Sequence, residues 1–288
     1  MNETSSIINK SNGDNKLNYI QKIIYITSNF IENIIPSFNK IETKSYTPQI
    51  LKLLPTENRS PSRLWCDLFW EDFVKTELIQ LKEISAAEFG CGSGKYGLLL
   101  NKLLGDKLCS YLGFDVKENK QWEKINLLNN KIEFKKINPA ETGSLLKGQN
   151  LLFTQSAIEH FQNDLSFFKK LNLYAEKNKC LQIHFIPSPF CLFTYLFHGY
   201  RQYNLFKIKK ILSQFKSIRF TIYTLGGFWS NYVHLKWITL PTISKYHLRK
   251  FDNTRYKEDM LWAINKDIKR NSSIFTSTFL AVIIKNYE

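Results

Sequence analysis

The stretch Glu88-Phe-Gly-Cys-Gly-Ser-Gly-Lys-Tyr-Gly97 places four glycines in eight positions. Glycines so close together weaken helix and strand alike, so the chain here requires bare backbone that something else approaches. The flanks fix the context. Ile84–Phe89 reads as a short apolar strand and Tyr96–Leu104 as an apolar helix. A strand, a glycine turn and a helix in that order open a layered α/β fold.

The same rhythm continues downstream. Strands are expected at Cys109–Val116, Lys131–Ile137, Asn150–Gln155 and Cys180–Ile186, with a helix over Leu165–Glu176. Two more strands are expected at Ile218–Thr224 and Thr276–Lys285. This alternation predicts an α/β, doubly wound, mostly parallel seven-stranded sheet with right-handed crossovers. Upstream, Leu17–Ile35 carries Ile20, Ile23, Ile24, Phe30, Ile31 and Ile34 at helical spacing and stops before Pro36. Pro61-Ser62-Arg63 opens a second helix through Trp65, Phe69, Trp70 and Phe73, with Ser60 or Ser62 as its cap.

The expected organisation has three parts. Residues 1–60 form an N-terminal extension, its first 18 or so disordered by composition, then helical, then a loop over Ser45–Ser62. Residues 61–225 plus 274–288 form the α/β domain. Residues 226–273, rich in aromatics and bases without strand–helix alternation, form a helical insertion that makes a pocket or lid.

Composition narrows the surroundings. No uninterrupted apolar run reaches the roughly 18 residues of a membrane span, and no basic-then-apolar leader opens the chain. The five cysteines show no CxxC spacing and read as buried thiols in a reducing compartment, so a cytoplasmic location is expected. The net charge is +15, and Arg201–Arg270 alone holds 15 Lys+Arg against 4 Asp+Glu. A basic surface concentrated in one segment points to an anionic partner there.

Three ligands compete for the glycine loop. A phosphate loop would need a hydroxyl residue after Gly94-Lys95 and a glycine five positions before Gly94; Tyr96 and Phe89 stand there instead. The dinucleotide spacing Gly-x-Gly-x-x-Gly does occur at Gly92–Gly97, with Asp115 about 20 residues on, and spacing alone leaves it open. Glu88 weighs against it: a carboxylate at this point suits a cationic ligand better than a pyrophosphate at a helix N-terminus.

Glu88-Phe-Gly90-Cys91-Gly92-Ser-Gly94, Asp115 closing the second strand, and Ser156-Ala-Ile-Glu159-His160 after the fourth resemble the class I S-adenosylmethionine-dependent methyltransferases. The resemblance covers roughly Arg63–Pro189. It implies S-adenosylmethionine as cofactor, with Glu88, Gly90, Cys91, Gly92 and Gly94 around it. It also implies Asp115 on the ribose hydroxyls and Asn138, where many members have an acid, at the adenine edge. Gln155 and Ser156 join the cofactor site, and Arg63 is a candidate for the cofactor's carboxylate. His160 is the expected general base, with Glu159 beside it. No metal is expected, although some similar members hold a divalent ion through this Glu-His pair.

The chain lacks the Asn/Asp-Pro-Pro-Tyr/Phe motif that adenine amino-methylation usually shows in this family, and lacks the Pro-Cys nucleophile of cytosine C5 methylation. The Glu-His form is similar to members that methylate hydroxyls. The expected acceptor is a small anionic or sugar-like molecule, such as a surface-glycan precursor. An RNA substrate on the basic 201–270 region and a non-catalytic binding module are the alternatives. Whether Tyr19–Ile35 packs on the core, covers the site or meets a membrane is left open.

Overall fold

A computed structural model describes residues 11–36, 41–49, 59–138, 145–215, 219–245 and 247–285. The first ten residues of the expected disordered segment, residues 50–58 of the expected loop, Ile218 at an expected strand start and Tyr246 of the insertion lie outside them.

Among the described residues the sheet has eight strands, one more than expected. In chain order they are β1 (Thr43–Ser45), β2 (Ile84–Phe89), β3 (Leu108–Asp115), β4 (Ile132–Lys136), β5 (Leu151–Gln155), β6 (Leu181–Pro187), β7 (Arg219–Leu225) and β8 (Phe279–Lys285). Their spatial order is β1-β7-β8-β6-β5-β2-β3-β4. The seven expected strands are all present, with ends shifted by up to three residues. The eighth, β1, falls at the edge of the stretch expected to be a loop and pairs in parallel with β7 through Thr43↔Ile222. Three residues are too few to carry an alternation pattern. The sheet is parallel except for β8, which runs antiparallel to both β6 and β7.

Burial follows position in the sheet. Every residue of β5 and β6 is buried, the polar Thr154, Gln155, Gln182 and His184 included, as central strands covered on both faces should be. The edge strand β4 buries only Ile132 and Phe134, leaving Glu133, Lys135 and Lys136 outward as an edge that resists further pairing.

The helices are α1 (Tyr19–Ile34), α2 (Pro61–Thr76), α3 (Lys95–Leu104), α4 (Gln121–Leu128), α5 (Asp164–Ala175), α6 (Cys191–Thr194), α7 (Leu205–Leu212), α8 (Phe228–His234), α9 (Leu240–Ile243), α10 (Leu248–Phe251) and α11 (Asn253–Ile268). The helices α4 and α7, and the short α6, are additions to the sequence reading. A π-helical turn at Leu235–Thr239 joins α8 to α9.

Helix α2 starts as its sequence requires. Ser60 caps it by accepting from the Arg63 N–H at 3.2 Å, and Pro61 occupies the first turn. It then buries residues all round: Phe69 meets Phe185 at 5.6 Å and Trp70 meets Phe153 at 5.1 Å between ring centres. The described residues of 226–273 are largely helical and cover the outside of α2. Trp65 Nε1 donates to Ser230 Oγ at 2.8 Å, and the Tyr256 hydroxyl donates to the Arg59 carbonyl at 2.6 Å. Among the described residues no helix is long and apolar enough to cross a membrane.

Candidate active site

The strand order reverses between β2 and β5: β3 and β4 follow β2 outward, while β5 and β6 run the other way. A parallel sheet opens a crevice at the carboxyl ends of strands at such a point. The glycine loop after β2 and the Ser156 turn after β5 both end there.

The loop is held from behind. The N–H groups of Gly90 and Cys91 both donate to the Phe114 carbonyl, at 2.7 and 3.0 Å. Gly90 has φ +79°, and a Cβ on it would lie 2.4 Å from the Ala157 Cβ. Gly92, at φ +53°, faces open space, so its bare backbone borders the crevice.

That crevice is a cavity of about 620 Å3. Of the site residues expected from sequence, Glu88, Gly90, Cys91, Gly92, Gln155, Ser156 and Arg63 line it. Gly94, Asp115 and Asn138 are not among its lining residues. Gly94 starts α3 in a left-handed conformation with φ +79°, against the Phe134 ring. The Asp115 carboxylate accepts from the Gly92 N–H at 2.8 Å and the Lys117 N–H at 3.2 Å, which ties the end of β3 to the loop. Asn138 is exposed just beyond β4, where Ile137 N–H bonds the Asp115 carbonyl at 2.8 Å.

The cavity wall carries both signs of charge. Glu88 is fully buried and accepts from the Tyr111 hydroxyl. Burial, with Asp115 nearby, pushes its carboxyl up to about 8, against the pull of the Tyr111 bond and Arg63. Arg63 Nη1 donates to the Tyr96 hydroxyl at 2.9 Å, which donates onward to Asp67 Oδ1 at 2.8 Å. Arg59 Nε stands 3.2 Å from Asp67 Oδ2. Burial raises the Asp67 carboxyl although Arg59, Tyr96 and Arg63 draw it down. Sequence reasoning missed Arg59, Asp67, Lys95 and Tyr96, all of which line the cavity. Part of a signal existed: Arg63 and Asp67 stand four residues apart, a spacing that aligns them on one face of α2, while Arg59 precedes the Ser60 cap.

A second cavity, of about 210 Å3, shares Arg63, Gln155 and Ser156 with the first. Ser60, Tyr195, His198 and Phe279 also line it. Ser156 holds φ +53°, rare for a residue with a side chain, and its hydroxyl donates to Glu159 Oε1 at 2.7 Å. Glu159 is fully buried, and its other oxygen has no hydrogen-bond partner among the described residues.

His160, in the 3-10 turn Ile158–His160, lies in a cluster with His198. Their rings meet edge-to-face at 4.5 Å, and His198, not His160, lines the second cavity. His198 Nε2 is 3.7 Å from Glu159 Oε1, and His160 Nδ1 is 2.6 Å from Asp14 Oδ2. Burial lowers the His198 imidazole, but Glu159 and Asp14 outweigh it and hold it above its ordinary value. Asp14 comes from the N-terminal stretch that composition reads as disordered. Its Oδ1 accepts from Gly199 N–H at 3.2 Å, while Gly13 N–H donates to the Gly199 carbonyl at 2.7 Å. Asp14, His160 and His198 present ligand atoms within 4.8 Å of one another, a spacing that suits a divalent ion, although the sequence reading expects none.

The remaining histidines separate. His184 is core, with Nδ1 3.0 Å from Thr154 Oγ1 and burial pushing it down to about 3. His234 is buried as well, 3.0 Å from Thr239 Oγ1, and His247 is exposed.

No family model matches the chain, and no curated protein matches it. Solved structures do. The plantazolicin methyltransferase BamL, crystallised with S-adenosylhomocysteine, is 15% identical with TM-score 0.48 over 77% of this chain and 84% of its own. Coclaurine N-methyltransferase bound to N-methylheliamine and S-adenosylhomocysteine is 12% identical with TM-score 0.47, over 94% of this chain and 88% of its own. A SAM-dependent methyltransferase from Aquifex aeolicus is 26% identical with TM-score 0.42, over 56% of this chain and 85% of its own. These three are methyltransferases; the chain is also similar to the [4+2]-cyclase SpnF, at 10% identity with TM-score 0.49 over 92% of this chain and 94% of its own.

Proposed function

We propose that the chain binds S-adenosylmethionine in the larger cavity and transfers its methyl group to a hydroxyl of a small anionic or sugar-like acceptor in the smaller one. One observation carries the reading: the cavity behind the glycine loop is lined by Glu88 and Asp67 together with Arg59, Arg63 and Lys95. The cofactor is a sulfonium joined to an amino acid zwitterion, so it needs cationic groups for its carboxylate and acidic groups for its positive centres. A dinucleotide pyrophosphate needs only the cations, and a buried acid beside it is costly.

Each expected residue then has a task. Arg63 and Arg59 bind the carboxylate, a charge-assisted contact. The bare Gly90 and Gly92 backbone admits the ligand. Asp115, already bonded to the Gly92 N–H, has oxygen lone pairs left for the ribose hydroxyls. Asn138 contacts the adenine edge.

Methyl transfer needs alignment and a dry pocket, because the sulfonium charge disperses as the bond to the acceptor forms. The acceptor oxygen gives up its proton to the paired imidazoles. His160, oriented by Asp14, is the base that the sequence expects; His198, backed by Glu159, faces the cavity and passes the proton along.

Titration calorimetry with S-adenosylmethionine is the direct test, with NADH as the competing ligand. Heat with the first and none with the second supports the reading; the reverse ends it. With an acceptor in hand, His160→Ala should lower kcat by about 10²–10⁴-fold, and an unchanged kcat removes His160 from the chemistry.

A further inference from the structure

Helix α1 is docked with its polar side inward. Its buried residues are Tyr25, Asn29 and Asn33. The Tyr25 hydroxyl donates to the His198 carbonyl at 2.9 Å, and Asn33 Nδ2 donates to Gln202 Oε1 at 3.1 Å. Asn204, which caps α7, donates to the Glu32 carbonyl at 2.8 Å. The apolar stripe meanwhile faces outward: Ile20 is 68% exposed, Ile31 53% and Ile34 55%, with Ile23, Ile24 and Phe30 close to half.

The exposed apolar side chains extend beyond α1. Helix α6 touches both α1 and the π-helical turn. Its exposed Phe193 meets Phe30 at 6.5 Å, and Thr194 accepts through its carbonyl from Thr239 at the end of that turn. Directly after it, Leu240 and Ile243 are 59% and 64% exposed.

Charge selects the occupant. Residues 235–251 hold Lys245, Arg249 and Lys250 with no acid, and Lys236, whose Nζ is 2.6 Å from Asp259 Oδ2; α7, starting against the end of α1, holds Lys207, Lys209 and Lys210. The acid of α1, Glu32, stands 3.1 Å from Lys207 Nζ. A second copy of a chain of charge +15 would bring like charge onto this face; an anionic lipid surface brings the opposite. A 16-residue helix is about 24 Å long and suits lying in the plane of a bilayer surface. We infer that the outer face of α1 beds into the interfacial layer of an anionic membrane, with the neighbouring lysines and arginines on the headgroups.

Vesicle flotation of the full chain tests this without any assay of activity. Binding is expected to phosphatidylcholine vesicles containing phosphatidylglycerol and to be much weaker on phosphatidylcholine alone. The double variant Ile24→Glu, Ile31→Glu changes two side chains that are about half exposed, 47% and 53%, so its melting curve should stay close to the parent's. Its partition should fall by about tenfold or more. Three results overturn the inference: no flotation with anionic vesicles, flotation unchanged in the variant (charge acting alone), or a dimer in velocity sedimentation that the same variant dissociates.

Discussion

Helices α1 and α2 are both 16 residues long, yet they are held by opposite means. The first has the more regular apolar stripe and turns it outward, anchored through asparagines and a tyrosine. The second has no clean stripe and buries twelve of its residues, because the sheet lies on one side and residues 226–273 on the other. Periodicity therefore reports that an apolar face exists, and not what covers it. A helix that is buried all round loses the very contrast that a periodicity reading depends on.

The sharpest way to break this contrast is to cut each helix. Trp70→Ala on α2 removes a ring packed on Phe153 and Phe185 and its bond to Gln155. It should cost about 3–5 kcal/mol in urea unfolding. A smaller loss would mean that α2 is not the keystone its burial suggests. Arg63→Ala, on the cavity face of the same helix, should weaken S-adenosylmethionine binding by about 1.5–3 kcal/mol in calorimetry. Unaltered affinity would detach α2 from the cofactor.

The pH dependence of that binding comes next. Glu88 titrates near 8 when folded, above its ordinary 4.5. Across that window the folded chain keeps a proton that the unfolded chain has lost, so stability falls as pH rises. A cation bound beside the carboxylate favours its charged form. Cofactor binding below pH 8 should then release a proton, and affinity should rise by up to about tenfold per pH unit until 8 is reached. Calorimetry in buffers of different ionisation enthalpy counts that proton, and Glu88→Gln should abolish the difference.

On α1 the effects shrink. Asn33→Ala leaves Gln202 without its donor and should cost about 1 kcal/mol. Ile31→Ala, on the outer face, should shift stability by less than about 0.5 kcal/mol. A large loss from Ile31→Ala would show that some part of the protein covers the stripe in solution.

The β2 loop and its flanks were legible because glycines, strand and helix are contiguous, and each local signal agrees with the fold. The start of α2 was legible for the same reason, in Pro61 and the Ser60 cap. Helix α4 escaped because it buries only Trp122 and Ile125, too thin a stripe to register. Asp14 escaped for another reason. It lies 146 residues from His160, and no local pattern marks a side chain whose partner is that distant. His198 stands among Phe193, Tyr195, Phe197, Tyr200 and Tyr203, and a histidine among aromatics reads the same in a core as in an acceptor pocket.

What the sequence determined by itself was the seven longer strands, the helices with a clear stripe or cap, the parallel order implied by their alternation, and the loop that must be bare. These follow from steric limits on neighbouring residues, which act whatever the rest of the chain does. Only the tertiary structure decided which face of α1 is wet, which acids and arginines share a cavity, and that Asp14 meets two histidines. Those depend on which distant surfaces come together, and burial is a property of the whole molecule rather than of any stretch of it.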